Sequence, residues 1–133
     1  MRKSTGLLLL LGTLALSGCS KQKTTDELIA DLNAGNEKER LIAVRLLPDR
    51  KSEAEKVIPA LTEALKSKDE DIRVSAALGL GNFGEQAKDA IPALQAAQRD
   101  RDARVKEAAG KALSRIDPER FPYTPKTKTA PRK

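Results

Sequence analysis

The chain repeats itself at a fixed interval. Shifted by 33 residues without gaps, Ile58-Pro59-Ala60-Leu61 falls on Ile91-Pro92-Ala93-Leu94, and Leu61 also falls on Leu28. Asp69 falls on Asp102 and on Asn36, and Arg73 falls on Arg40 and Lys106. Ala76 meets Ala43 and Ala109, and Leu80 meets Leu47 and Leu113. A period of this size marks stacked supersecondary units, none of which can bury its apolar face alone. The core must therefore form between neighbours.

Each unit reads as two helices. In the second half of the third unit the apolar residues are Val105, Ala108, Ala109, Ala112, Leu113 and Ile116, the i, i+3, i+4, i+7 spacing of one helix face. Ile72, Ala76, Gly79, Leu80 and Phe83 repeat that stripe in the second unit. The first helices carry a sparser one: Leu28 and Leu32, then Ile58, Leu61 and Leu65, then Ile91 and Leu94. Thr24-x-x-Glu27 and Ser52-x-x-Glu55 fit capping boxes, and Asp69 and Asp102 stand where N-caps belong. No segment sustains strand alternation, so the fold class is all-α. Pro59 and Pro92 leave two options open. Either the first helices begin near Val57 and Ala90, or they start earlier and kink at the proline.

The combination resembles HEAT repeats, in particular the short bacterial type named after phycobilisome lyases. Residues 58–84 and 91–117 follow the pattern of an apolar-Pro-Ala-Leu start, an Asp turn and a Val-Arg-led, Ala-rich helix; residues 25–50 follow it loosely. Glu39, Arg50 and Gln98 replace the apolar Ile72, Phe83 and Leu65, as the polar ends of a solenoid require. The resemblance implies a short α-solenoid of three helix pairs over residues 25–117. It also implies a ladder in which Arg40, Arg73 and Lys106 reach acids at the inter-helix turns. Surfaces of this kind bind peptides or helices of partners, and the contacts are expected at Arg45, Arg73 and Lys106.

The N-terminus carries an address. Arg2 and Lys3 precede the apolar run from Gly6 to Leu16, too short to span a bilayer and of the length of a signal-peptide core. Leu16-Ser17-Gly18-Cys19 then resembles the lipobox of bacterial lipoproteins, an aliphatic residue and two small ones before the cysteine. Cys19 is the only cysteine, and the composition turns polar directly after it. The resemblance implies removal of residues 1–18, acylation of Cys19, a lipidated linker over 19–24 and stable membrane anchoring. With Ser20 next, it favours the periplasmic leaflet of the outer membrane.

Composition narrows the chemistry. The 133 residues contain no His and a single Cys, which removes His bases, His/Cys zinc sites and Cys-His dyads. No metal, no cofactor and no catalytic residue is expected. The carboxylates lie at caps and exposed faces, and Ser75 and Ser114 have no His base. Gly79-Leu80-Gly81-Asn82-Phe83-Gly84 matches the dinucleotide fingerprint, but it closes a helical stripe where that motif must open one. Gly79 there reads as a packing residue, and Gly81 and Gly84 as helix-ending residues.

The formal charge of +6 suggests nucleic acid until it is located. Arg2 and Lys3 hold part of it, and residues 119–133 hold five basic groups against Glu119. Residues 19–118 balance at 18 basic and 18 acidic groups. The repeats are neutral, and nucleic acid is not an expected partner. The four prolines of 118–133 read as a disordered basic tail, with Phe121 and Tyr123 either capping the last helix or left to an adhesive segment for anionic envelope lipid or polymer. The sequence thus describes a lipid-anchored HEAT-like scaffold binding an envelope protein. A phycobilin-lyase-like accessory is the alternative, and a nucleic-acid-binding HEAT protein a more distant one.

Overall fold

The computed structural model describes residues 22–124. The signal-peptide segment, Cys19 and residues 125–133 of the tail lie outside the described residues. The helices are α1 (Thr25–Ala34), α2 (Glu37–Leu46), α3 (Ala54–Ala64), α4 (Glu70–Asn82), α5 (Ile91–Ala97) and α6 (Ala103–Ile116). Short 3-10 segments at Leu47–Asp49, Lys51–Glu53 and Gly84–Ala90 join the units, and no strand occurs among the described residues.

The helices pair in order, α1 with α2, α3 with α4, α5 with α6. α4 is central, packed along α6 on one side and α2 on the other, while the first helices of successive units meet more sparingly. A stack whose second helices sit closer than its first ones curves toward the second row. That row lines the inner face. Period-matched positions share one core: Leu28, Leu61 and Leu94, Ala43, Ala76 and Ala109, and Leu47, Leu80 and Leu113 are all fully buried. Each leucine buried in this way is worth about 2 kcal/mol.

Local signals set most helix starts. Thr24 and Glu27 form both arms of a capping box, with Glu27 N–H donating to Thr24 Oγ1 and Thr24 N–H to Glu27 Oε2. Asn36 and Glu39 do the same for α2, so Glu39 has a capping task beyond its polarity. Asp69 and Asp102 each accept two backbone N–H bonds at the starts of α4 and α6. Ser52 does not cap. Residues 51–53 form a 3-10 turn instead, and α3 begins at Ala54 behind a Glu53 that makes no cap bond. Glu53 accepts a 2.6 Å bond from the buried Thr25 hydroxyl, so a contact to the first unit, not a local cap, holds this corner.

The two prolines take different positions. Pro59 lies inside α3, whereas Pro92 occupies the first turn of α5 behind a 3-10 segment that breaks at Ala87. Gly81 departs from the sequence expectation. It is buried within α4, and a Cβ there would lie 3.0 Å from Ala112 Cα of the next unit. A Cβ on Gly79 would lie 2.7 Å from Pro48 Cγ of the preceding unit. The two glycines therefore let α4 approach both neighbours at once. Gly84, at φ +55°, does turn the chain out of α4.

The tail is also more ordered than its prolines predict. Asp117 accepts backbone bonds from Arg120 and Phe121, and Phe121 packs partly buried against the core beneath the Arg120 guanidinium, 5.4 Å from its ring centre. Residues 122–124 pass Gln98, Ala103, Lys106 and Gly110 at the end of the stack. The expectation of disorder is thus corrected for 118–124, because the open end of the last unit supplies apolar surface that Phe121 covers.

Candidate functional site

The basic ladder divides into two interior rungs and a free end. Arg73 is 5% exposed. Its Nε and Nη2 donate to Asp100 Oδ2 and Oδ1 at 2.8 and 3.1 Å, and its Nη1 donates to the carbonyls of Ser67 and Lys68 at 2.8 and 3.1 Å. One guanidinium thus closes the end of α3 and grips the turn of the next unit. Asp100 also accepts from the Asp102 N–H, and the bond from Arg73 holds its carboxyl below the usual carboxylate value. Such charge-assisted bidentate bonds are the strong ones.

One unit earlier, Arg40 donates to the Leu32 carbonyl and to Ser67 Oγ. Ser67 stands 33 residues before Asp100, and its hydroxyl likewise accepts from a backbone N–H, that of Asp69. The first interface therefore carries a neutral version of the second. Lys106, the third member, is exposed beside Gln98, Glu107 and Phe121 at the end of the stack.

These placements revise the expected contacts. Arg73 is withdrawn as a partner-binding residue, since burial and four hydrogen bonds commit it to the fold. Arg45 and Lys106 are exposed, but on different surfaces, Arg45 on the inner face of the first unit and Lys106 at the terminal end. The structure does not bring the three together.

Sequence reading missed a patch beside Arg45. Ile42, Leu46 and Leu78 are 46, 44 and 37% exposed, the large aliphatic side chains that most contradict their chemistry. Ile42, Arg45 and Leu46 share one face of α2, and Leu78 of α4 stands at the period-matched position of Arg45. A signal existed. The other units carry Ser75 and Ala108 where the first has Ile42, and Arg45 and Lys111 where the second has Leu78. At the Leu46 position the later units carry Gly79 and Ala112, buried against the preceding unit, so Ile42 and Leu46 lie on the flank of α2 that faces away from α4.

The groups weighed for reaction chemistry take structural positions among the described residues. The Gly79–Gly84 segment ends a helix, and no strand leads into it. The carboxylates with shifted titration, Asp100 and Asp102, are both lowered, by a hydrogen bond from Arg73 and by the Arg104 backbone N–H respectively, the reverse of a general acid. Ser114 donates to the Lys111 carbonyl. Among the described residues no His/Cys/Asp/Glu cluster is arranged to hold a metal, and no helix is long and apolar enough to cross a membrane. Two clefts among the described residues are a groove between α3 and the 84–90 segment, about 770 Å³, and a hollow under the tail, about 580 Å³.

A family model described as HEAT repeats matches residues 25–114, two-thirds of the chain and all six helices save the end of α6. The chain belongs to the HEAT-repeat family. This HEAT chain is similar to a solved structure, the complex of CpcE and CpcF of phycocyanin lyase from Nostoc sp. PCC7120, at a TM-score of 0.65 and 25% identity. The match covers 75% of the HEAT chain but only 40% of that structure's chain. No curated protein matches. The likeness supports the all-α repeat architecture, and places a chain of the phycocyanin lyase complex among the proteins built this way.

Proposed function

We propose that this HEAT protein is a non-catalytic protein-interaction scaffold of the bacterial cell envelope, tethered through an acylated Cys19 to the periplasmic leaflet of the outer membrane. The observation that carries the scaffold reading is the exposure of Ile42 and Leu46, one turn apart on the flank of α2 that faces away from α4, with Leu78 also exposed on α4. Clustered apolar exposure of this kind marks interaction sites, whereas scattered exposure is ordinary. The lipobox Leu16-Ser17-Gly18-Cys19 supports the anchor, and the charge balance of residues 19–118 suits a protein partner better than nucleic acid. The basic groups of the tail suit an anionic envelope lipid or polymer as a secondary contact.

Photo-crosslinkers placed in cells at Leu46, Glu55 and Lys106 test the scaffold reading, with a reproducible protein adduct from at least one position as the expected result. Adducts from none would remove it. Cys19→Ala tests the anchor independently, by release of the chain from the membrane fraction.

A second reading, a lyase-type accessory, draws on the likeness to the phycocyanin lyase complex. Against it, the repeats offer neither Cys nor His to handle a chromophore. An absorbance shift on mixing the purified chain with a linear tetrapyrrole would favour this reading over the first.

A further inference from the structure

We propose that the open first end of the stack is a dimer interface, covered by the same end of a second copy in antiparallel register. This rests on the scaffold reading and names what covers its exposed residues. In the later units the matching helix face is taken up by the preceding unit. Ala112 of α6 lies against Gly81 of α4, and Gly79 of α4 against Pro48 of the first unit. Ile72 and Val105, two turns earlier on the same stripe, are fully buried. The first unit carries Glu39, Ile42 and Leu46 along that face, spaced i, i+3, i+7 and all exposed. Arg50, at the register of the buried Phe83 and Ile116, stands just past the end of α2. No described unit precedes them.

The order of these four residues selects the partner. It runs acid, aliphatic, aliphatic, base, so the stripe complements itself when reversed. Glu39 then meets Arg50 of the second copy, and Ile42 meets its Leu46. A parallel arrangement would set like charge on like charge. Both charged groups have capacity left. Glu39 accepts the Asn36 N–H on Oε2, and Arg50 donates Nη2 to the Lys23 carbonyl, so each keeps a further oxygen or nitrogen for a partner. Asp31, the acid beside Glu39 at this end, is held by Lys23 at 2.6 Å.

The opposite end of the stack is shut. Phe121 packs against the core there, and residues 122–124 cross Gln98, Lys106 and Gly110. The open end of one copy therefore cannot continue onto the last unit of another, and the isologous contact closes at two chains. Its two-fold axis runs across the helices, from the α1 row to the α2 row, and keeps both α1 rows on one side. Lys23 belongs to that edge: Lys56, one period later, reaches back to Asp26 of the preceding unit at 2.9 Å. Both Cys19 anchors, four positions before Lys23, can then enter one bilayer. Two helices make a small interface, and confinement to one surface supplies the effective concentration it needs.

Sedimentation velocity of the full acylated chain in excess detergent, over about two decades of concentration, tests this. The expected result is a reversible monomer–dimer equilibrium. Leu46→Ser is expected to raise the dissociation constant at least about tenfold with an unchanged thermal melt, since Leu46 is half exposed and each dimer contains it twice. Glu39→Arg is expected to weaken the dimer about tenfold, and Arg50→Glu added to it to restore the parent value within about threefold. Glu39→Arg also removes one arm of the α2 cap, so Leu46→Ser decides the matter if that chain does not fold. Four results overturn the proposal: a monomer at every concentration, a dimer indifferent to Leu46→Ser, no recovery in a folded double variant, or growth beyond two chains. Crosslinking in cells separates this from the broader reading. A Leu46 adduct of twice the chain's mass is the dimer, whereas adducts to other proteins alone keep the scaffold and remove the dimer.

Discussion

The Arg73 guanidinium meets the Asp100 carboxylate edge to edge across the interface of the second and third units, with Nε–Oδ2 at 2.8 Å and Nη2–Oδ1 at 3.1 Å. Their side chains are 7 and 13% exposed. Removing one partner leaves the other charge buried beside apolar surface. Asp100→Ala should therefore cost about 3 kcal/mol in urea unfolding. Arg73→Lys should not restore the loss, because an ammonium cannot bridge two carboxylate oxygens and two carbonyls in one plane. Arg40→Ala, at the neutral rung on Ser67, should cost only about 1 kcal/mol.

The same pair makes stability depend on acid. Asp100 titrates below its ordinary value of 3.8 in the folded chain, first because of the Arg73 hydrogen bond, and Asp102 is lowered as well. In that window the unfolded chain binds more protons, so stability rises with pH. The contribution is complete above the ordinary value and is lost as pH falls through the lower folded one. Urea midpoints measured from about pH 5 down to 3 should decline in the parent, and less steeply in Asp100→Asn, which cannot lose this charge.

Close approach of α4 to both neighbours predicts strict size limits. Gly81→Leu should destabilise by about 3 kcal/mol or abolish folding, because the first added carbon meets backbone of α6 at Ala112. Gly79→Ala, against the Pro48 ring, should cost about 1–2 kcal/mol. Thermal denaturation followed by helix signal reads both.

Caps distinguish real from apparent start signals. Asp69→Ala and Asp102→Ala should each lose about 1 kcal/mol, whereas Ser52→Ala should stay within about 0.5 kcal/mol of the parent in urea melts. A Ser52→Ala loss equal to the others would contradict the 3-10 corner.

The terminal strap should protect α6. Phe121→Ala removes partly buried contact and should cost about 1–2 kcal/mol. Hydrogen exchange should quicken first at the α6 amides facing the tail.

Much of the architecture was legible before any coordinates. The 33-residue period, with Leu28, Leu61 and Leu94 on one register and Leu47, Leu80 and Leu113 on another, dictates stacked helix pairs and names their core, because periodic apolar positions have nowhere else to go. The Thr24, Asp69 and Asp102 caps were equally readable, since each acts within three residues of itself. Tertiary placement decided the rest. Arg73 and Lys106 occupy the same register, yet one is buried against Asp100 of the following unit and the other stands exposed in the last described unit. Gly81 became a contact because Ala112 faces it, and Ser52 lost its cap because Thr25 recruits Glu53. The exposure of Ile42, Leu46 and Leu78 follows from which side of α2 and α4 the neighbouring helices leave open. Periodicity defines the face each helix turns inward; only the packed neighbours determine whether a given side chain ends as core, clamp or surface.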